Sequence, residues 1–205
     1  MNSEMVKLYT RQNDKTLLQL ERDGRILNHK VYVELHFGSI APLFMESYDW
    51  FTKEAEKRVP RPDDAEASIW CSISVENCLK PIPGTVVYVL EVPREKVVYF
   101  DEQKWDYVLN RIYIPQDTQD DERYRQYIKE KGFSSRFEFF EGKYKGKYPE
   151  EEQRIIESWK RVFEIDSWTI FNVCGNIWEI KKEWVKKIVH PGEEIEAGYA
   201  GKDGD

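Results

Sequence analysis

The 205-residue chain has few cysteines, few histidines and no long apolar run, and each shortage excludes something. Cys71, Cys78 and Cys174 form neither a CxxC pair nor an even set, which argues against a zinc ribbon and against the disulfide framework of a secreted domain. A reducing cytoplasm is the compartment to expect. No charged start followed by an apolar stretch opens the chain, and nowhere do about 18 apolar residues run together, so neither export nor membrane spanning is expected. GxxxxGK[ST], GxGxxG, GxSxG and HExxH are all missing, which removes the sequence support for P-loop hydrolysis, Rossmann redox chemistry and zinc proteolysis. His29, His36 and His190 are scattered, so neither a catalytic triad nor a metal site is built from them. The net charge of −7 gives no overall attraction to nucleic acid, although a local basic patch can sit on an acidic protein.

What the chain does have is aromatic material: seven tryptophans, twelve tyrosines and ten phenylalanines, enough to fill one sizeable core or to stack on flat ligands. Residues 6–10, "VKLYT", alternate as a strand does, and Asn13 or Asp14 can cap a helix through "KTLLQLERD" that stops at Gly24. "KVYVELHF" alternates again and reads as a strand. From about Leu43, the residues Phe44, Tyr48, Phe51, Ala55 and Val59 fall at helical spacing up to the breakers "PRP". "ASIWCSISV" and "TVVYVLEV" read as strands, and Asp101 can cap a helix carrying Trp105, Val108, Leu109 and Ile112. Residues 116–149 are a polar excursion with helical character near "DERYRQYIKEK". Ile155 to Phe163 predict a further helix, and "WTIFNVCGNIWEI" a final strand. The reading is one α+β domain over residues 1–190, with a mixed, mostly antiparallel sheet core and flanking helices, followed by an acidic flexible tail over 191–205.

Glu179 raises a chemical question. Strict alternation in "VCGNIWEIKKE" puts it on one face with Phe171, Val173, Gly175 and Ile177, and Asn172, Cys174, Asn176 and Trp178 on the other. A carboxylate on an apolar face costs several kcal/mol or is driven toward its protonated form unless a ligand or hydrogen bonds use it. A bulge at Gly175 would instead shift the register by one and turn Glu179 out to water. The sequence leaves both arrangements open.

"KLYTRQ", "SYDWFTKEAEKRV", "VYVLEVPREKVVYFDEQKWDYVLN" and "IWEIKKEWVKKI" together resemble a bacterial family catalogued only as a domain of unknown function, over roughly residues 5–190. Where that family usually carries Gln, Ala and Thr, this chain has Cys174, Gly175 and Asn176. The order of features also resembles a divergent ADP-ribosyltransferase: a first strand with Tyr-Thr-Arg, a helix ending at glycine, a hydroxyl-rich middle strand and a late strand with a glutamate. That resemblance implies that Tyr9, Thr10 and Arg11 hold NAD as co-substrate, that Trp70, Ser72 and Ser74 line the nicotinamide pocket, and that Glu179 is catalytic. One carboxylate suffices for such chemistry, because it offsets the positive charge that develops on the ribose as nicotinamide departs. The resemblance also implies a toxin with a neutralising antitoxin partner.

Within the excursion, "RFEFFEGKYKGKY" interleaves cations with rings. Arg136, Phe140, Lys143, Tyr144, Lys145 and Lys147 are therefore candidates to hold single-stranded RNA by stacking and phosphate contacts, unless the rings merely pin the loop to the core. The expected function is NAD-dependent ADP-ribosylation of a macromolecule, RNA favoured over protein. The rivals are a non-catalytic nucleic-acid-binding module and a protein-interaction domain of the same fold.

Overall fold

The computed structural model of the chain describes residues 4–195, so all but the first five residues of the expected 191–205 tail lie outside the described residues. The chain forms two compact units, one spanning Met1–Tyr99 and Ser167–Asp205, the other Phe100–Asp166. In order, the elements are β1 (Met5–Asn13), α1 (Thr16–Asp23), β2 (Arg25–Leu27), α2 (Lys30–Phe37), α3 (Ala41–Ala55), β3 (Ile69–Ser72), β4 (Thr85–Pro93) and β5 (Val98–Asp101). Then follow α4 (Glu102–Leu109), α5 (Thr118–Glu130), α6 (Pro149–Ser158), β6 (Val173–Ile177), β7 (Glu179–Lys181) and β8 (Val185–Val189). The architecture is α+β. A six-stranded sheet runs β5-β6-β3-β1-β4-β8, with β1 antiparallel to both β3 and β4, and β2 pairs with β7 in a separate two-stranded sheet. Among the described residues no helix is long and apolar enough to cross a membrane.

In the first unit, β1 alternates as its sequence predicts. Leu8 joins a core with Ile69, Tyr88, Leu90, Ile177 and Ile180, while Tyr9 packs on the opposite face with Cys78, Val87 and Val189. α1 ends at Gly24, whose φ of +71° is reached without strain only by glycine, and the chain turns directly into β2. "KVYVELHF", expected as a strand, is the helix α2. Val31, Tyr32 and Leu35 stay exposed, whereas Phe37 packs its ring on Phe44 and Tyr48 of α3, so docking on a neighbouring helix overrides the period-two pattern. "WTIFNVCGNIWEI" is not one strand either: it is divided between β6 and β7, in different sheets. "KKEWVKKI" then supplies a further strand, β8, paired with β4. The first residues past β8 turn back, with Glu193 N–H donating to the His190 carbonyl, and Ile195 packs on the Tyr9 cluster.

In the second unit, Asp101 caps α4 by accepting from the Gln103 and Lys104 N–H groups, and Asp117 caps α5 by accepting from Asp120 N–H. α6 begins at Pro149, nearly two turns before Ile155 and Ile156, and runs on through a short 3-10 turn to Phe163. Residues 133–148 fold around their own rings: Phe133, Phe139, Tyr144 and Tyr148 meet largely edge to face, and Phe139 is fully buried.

Candidate functional site: the β6–β7 junction and the sheet face beside it

β6 is registered on β3 without a break, as Ile69↔Ile177, Trp70↔Asn176, Cys71↔Gly175 and Ser72↔Cys174. There is therefore no bulge at Gly175. Glycine fits closely there for a different reason: a Cβ would lie 3.1 Å from Val97 Cγ1 and 3.2 Å from Leu8 Cδ2, so those side chains would have to give by a few tenths of an ångström. Ile177 and Ile180 nevertheless enter the same core although they are an odd number of residues apart, so the strand phase changes between them. The change falls at Trp178, whose indole Nε1 donates to the buried Val59 carbonyl over 2.8 Å.

This shift places Glu179 opposite Leu27 in the two-stranded sheet, on the face away from Ile180. Its side chain is 14% exposed. Arg25 Nη1 lies 3.2 Å from Oε2, Lys181 Nζ lies 3.6 Å from Oε1, and Arg25 also binds Asp64. The hydrogen bond to Glu179 raises the Arg25 pKa above its ordinary value. Glu179 is thus neither seated on the apolar face nor turned out to water. It is a shielded carboxylate held by two cations.

The residues expected around a dinucleotide divide between the two faces of the sheet. Tyr9 pairs across from Ser72 but is packed in the core, and burial, with Glu76 and Cys78 nearby, raises its pKa. Thr10 lies on the opposite face; its hydroxyl donates to the Trp70 carbonyl and accepts from Gln12 Nε2, both at 2.8 Å. Arg11 Nη1 donates to the Lys80 carbonyl. Trp70 lies under α3, stacked with Tyr48 at 5.2 Å and met edge-on by Phe51 at 5.3 Å; burial pushes the Tyr48 pKa up to about 12. Ser72 donates to the Asn77 carbonyl and Ser74 accepts from Asn77 N–H, so both hydroxyls serve the turn after β3. Trp70 and Ser72 share the Tyr9 face.

Sequence reasoning passed over two residues on that face. Asn176 is fully buried, and neither its Nδ2 nor its Oδ1 has a hydrogen-bond partner among the described residues. Ser68, two residues before Trp70 along the extended chain, has a buried hydroxyl in the same condition. A buried polar group without a partner costs about 1–3 kcal/mol, which makes such atoms rare in folded proteins. The available signal was a polar residue inside the apolar run of β6. Alternation placed Asn176 on the Cys174 face but could not tell that this face is covered.

In the second unit the basic aromatic segment is largely committed to its own packing. Arg136 pairs with Asp121 at 2.8 Å, Phe140 packs on Trp159, Lys143 donates to Ser134 Oγ, and the buried Tyr144 hydroxyl accepts from Ser134 N–H at 2.7 Å. Lys143, Lys145 and Lys147 remain exposed. A cavity of about 190 Å3 in this unit is lined by Tyr113, Arg154, Glu157, Ser158 and Arg161. Two arginines and one glutamate line it, and Arg154 also contacts the buried Glu151 at 3.4 Å. Among the described residues no three His, Cys, Asp or Glu side chains are grouped to hold a metal ion.

A family model described as "Domain of unknown function (DUF3841)" matches residues 7–186, and the chain belongs to that family. No curated protein and no solved structure matches it.

Proposed function

We propose that this member of a family without an assigned function is an NAD-dependent ADP-ribosyltransferase that modifies a macromolecule. The observation that carries the reading is the placement of Glu179: shielded, paired with Arg25 and Lys181, and three residues past Asn176, which is registered on Trp70.

In this mechanism the bond between the ribose C1′ and the nicotinamide nitrogen breaks, and the bonding pair leaves with nicotinamide, which becomes neutral. Positive charge develops on the ribose, and the Glu179 carboxylate offsets it. A nucleophilic atom of the acceptor then bonds to C1′, and its proton passes to the carboxylate or to water. Of the first-strand residues, Tyr9 and Arg11 share the sheet face that carries Trp70, and Arg11 has guanidinium N–H groups beyond the one on the Lys80 carbonyl to offer a phosphate; Thr10, on the opposite face, ties β1 to β3 through the Trp70 carbonyl. Trp70, Ser72 and Ser74 frame the nicotinamide end. RNA is favoured over protein as acceptor because Lys143, Lys145 and Lys147 are exposed within five consecutive residues and suit phosphates. Such an activity in the cytoplasm of its own cell calls for an antitoxin partner.

One observation favours a second reading, a non-catalytic binding module: the cations that shield Glu179 also neutralise it. The two readings separate when the protein is incubated with labelled NAD and either total RNA or cell lysate. Transfer that is lost in Glu179→Ala supports the enzyme. Transfer that survives this substitution removes the catalytic assignment, and a wild type that neither transfers label nor binds NAD by calorimetry leaves the binding module.

A further inference from the structure

We infer that Asn176, with Ser68 beside it, recognises a planar primary carboxamide and so makes the site selective for an amide-bearing heteroaromatic ring over the corresponding acid. This rests on the NAD reading above and assigns the residue that reads the departing ring. Asn176 is fully buried with both amide atoms unpartnered, and Ser68 Oγ is buried and unpartnered as well. Both belong to the sheet face that carries Trp70, because Asn176 lies directly opposite Trp70 and Ser68 is two residues from it. Directly opposed residues bring their Cβ atoms to about 5 Å and diagonal ones to about 7–8 Å, so a single small group can reach both side chains. An asparagine side chain presents a donor and an acceptor side by side in one plane. Its complement is the same edge inverted, which a primary carboxamide supplies. A carboxylate offers two acceptors and would set one of them against Oδ1.

The rival explanation is a tolerated packing defect in which Asn176 binds nothing. Calorimetric titration of the full chain with nicotinamide and with nicotinic acid, alongside thermal melts, separates the two. Wild type is expected to bind nicotinamide at least about tenfold tighter than nicotinic acid, the size of effect one hydrogen-bonded edge supplies. Asn176→Leu is expected to lose at least about tenfold in nicotinamide affinity while melting no lower than wild type, since it removes two unpartnered atoms. Ser68→Ala, a smaller change, is expected to lose affinity in the same direction and guards against a poorly folded Asn176→Leu. Nicotinamide affinity unchanged in both variants, or a wild type that binds the acid equally well, overturns the inference. If label transfer still depends on Glu179, that result leaves the proposed function standing. A wild type with neither transfer nor nicotinamide binding removes both.

Discussion

The Arg25 guanidinium donates to Glu179 Oε2 over 3.2 Å, joining residues 154 positions apart and tying β2 to β7. Arg25 is 36% exposed, so water and salt screen the attraction even though Glu179 is largely covered. A double-mutant cycle of Arg25→Gln and Glu179→Gln, read by denaturant unfolding, is expected to give a coupling of under about 1 kcal/mol. A coupling of several kcal/mol would show that the pair is desolvated, contrary to its exposure.

Trp178 fixes the phase change that sets the position of Glu179. Trp178→Phe keeps most of the ring and removes the donor, leaving the buried Val59 carbonyl without its 2.8 Å partner. The expected loss is about 1–3 kcal/mol of unfolding free energy, accompanied by weaker label transfer because Glu179 is the next residue. Unaltered unfolding would mean that this hydrogen bond does not hold the junction.

Gly175 sits where the sheet meets Leu8 and Val97. The new methyl of Gly175→Ala would meet them at 3.2 and 3.1 Å, so the neighbours must shift, at an expected cost of about 1–3 kcal/mol. The midpoint of denaturant unfolding reads this directly. An unaffected midpoint would show that the two side chains have room to move.

Asp121 in α5 bonds to Arg125 and to Arg136, the latter at 2.8 Å. Burial pushes its pKa up, but the hydrogen bonds from the two arginines outweigh this and hold it below the usual carboxylate value. A depressed pKa contributes stability that is fully present above about pH 4, the unfolded value, and is lost as pH falls through the lower folded value. Asp121→Asn is therefore expected to flatten the acid limb of stability below about pH 4 and to lower stability at neutral pH. Matching acid limbs in the two proteins would sink this assignment.

Much of the fold was legible where a local rule had a single outcome. Asp101 caps α4 and Gly24 ends α1 because one side chain or one permitted φ decides the matter within a few residues. "KVYVELHF" misled because its period-two pattern is only eight residues long, and Phe37 docks on Phe44 and Tyr48 as part of a helix. The rings of residues 136–148 were legible as a cluster that either binds a ligand or pins the loop, and the packing of Phe133, Phe139, Tyr144 and Tyr148 on one another decides for the second, which a run of alternating cations and rings could not do alone.

Composition and spacing by themselves determined that the chain is α+β, where α1 ends and where α4 begins, and that Glu179 follows an apolar strand with a polar residue inside it. Only the tertiary structure decided what Glu179 and Asn176 face. The phase of β7 depends on an indole bonded to a carbonyl 119 positions earlier, and the burial of Asn176 on packing that its own strand does not reveal. Alternation along one strand carries no information about partners so distant, because it records which side a residue takes and not what lies on that side.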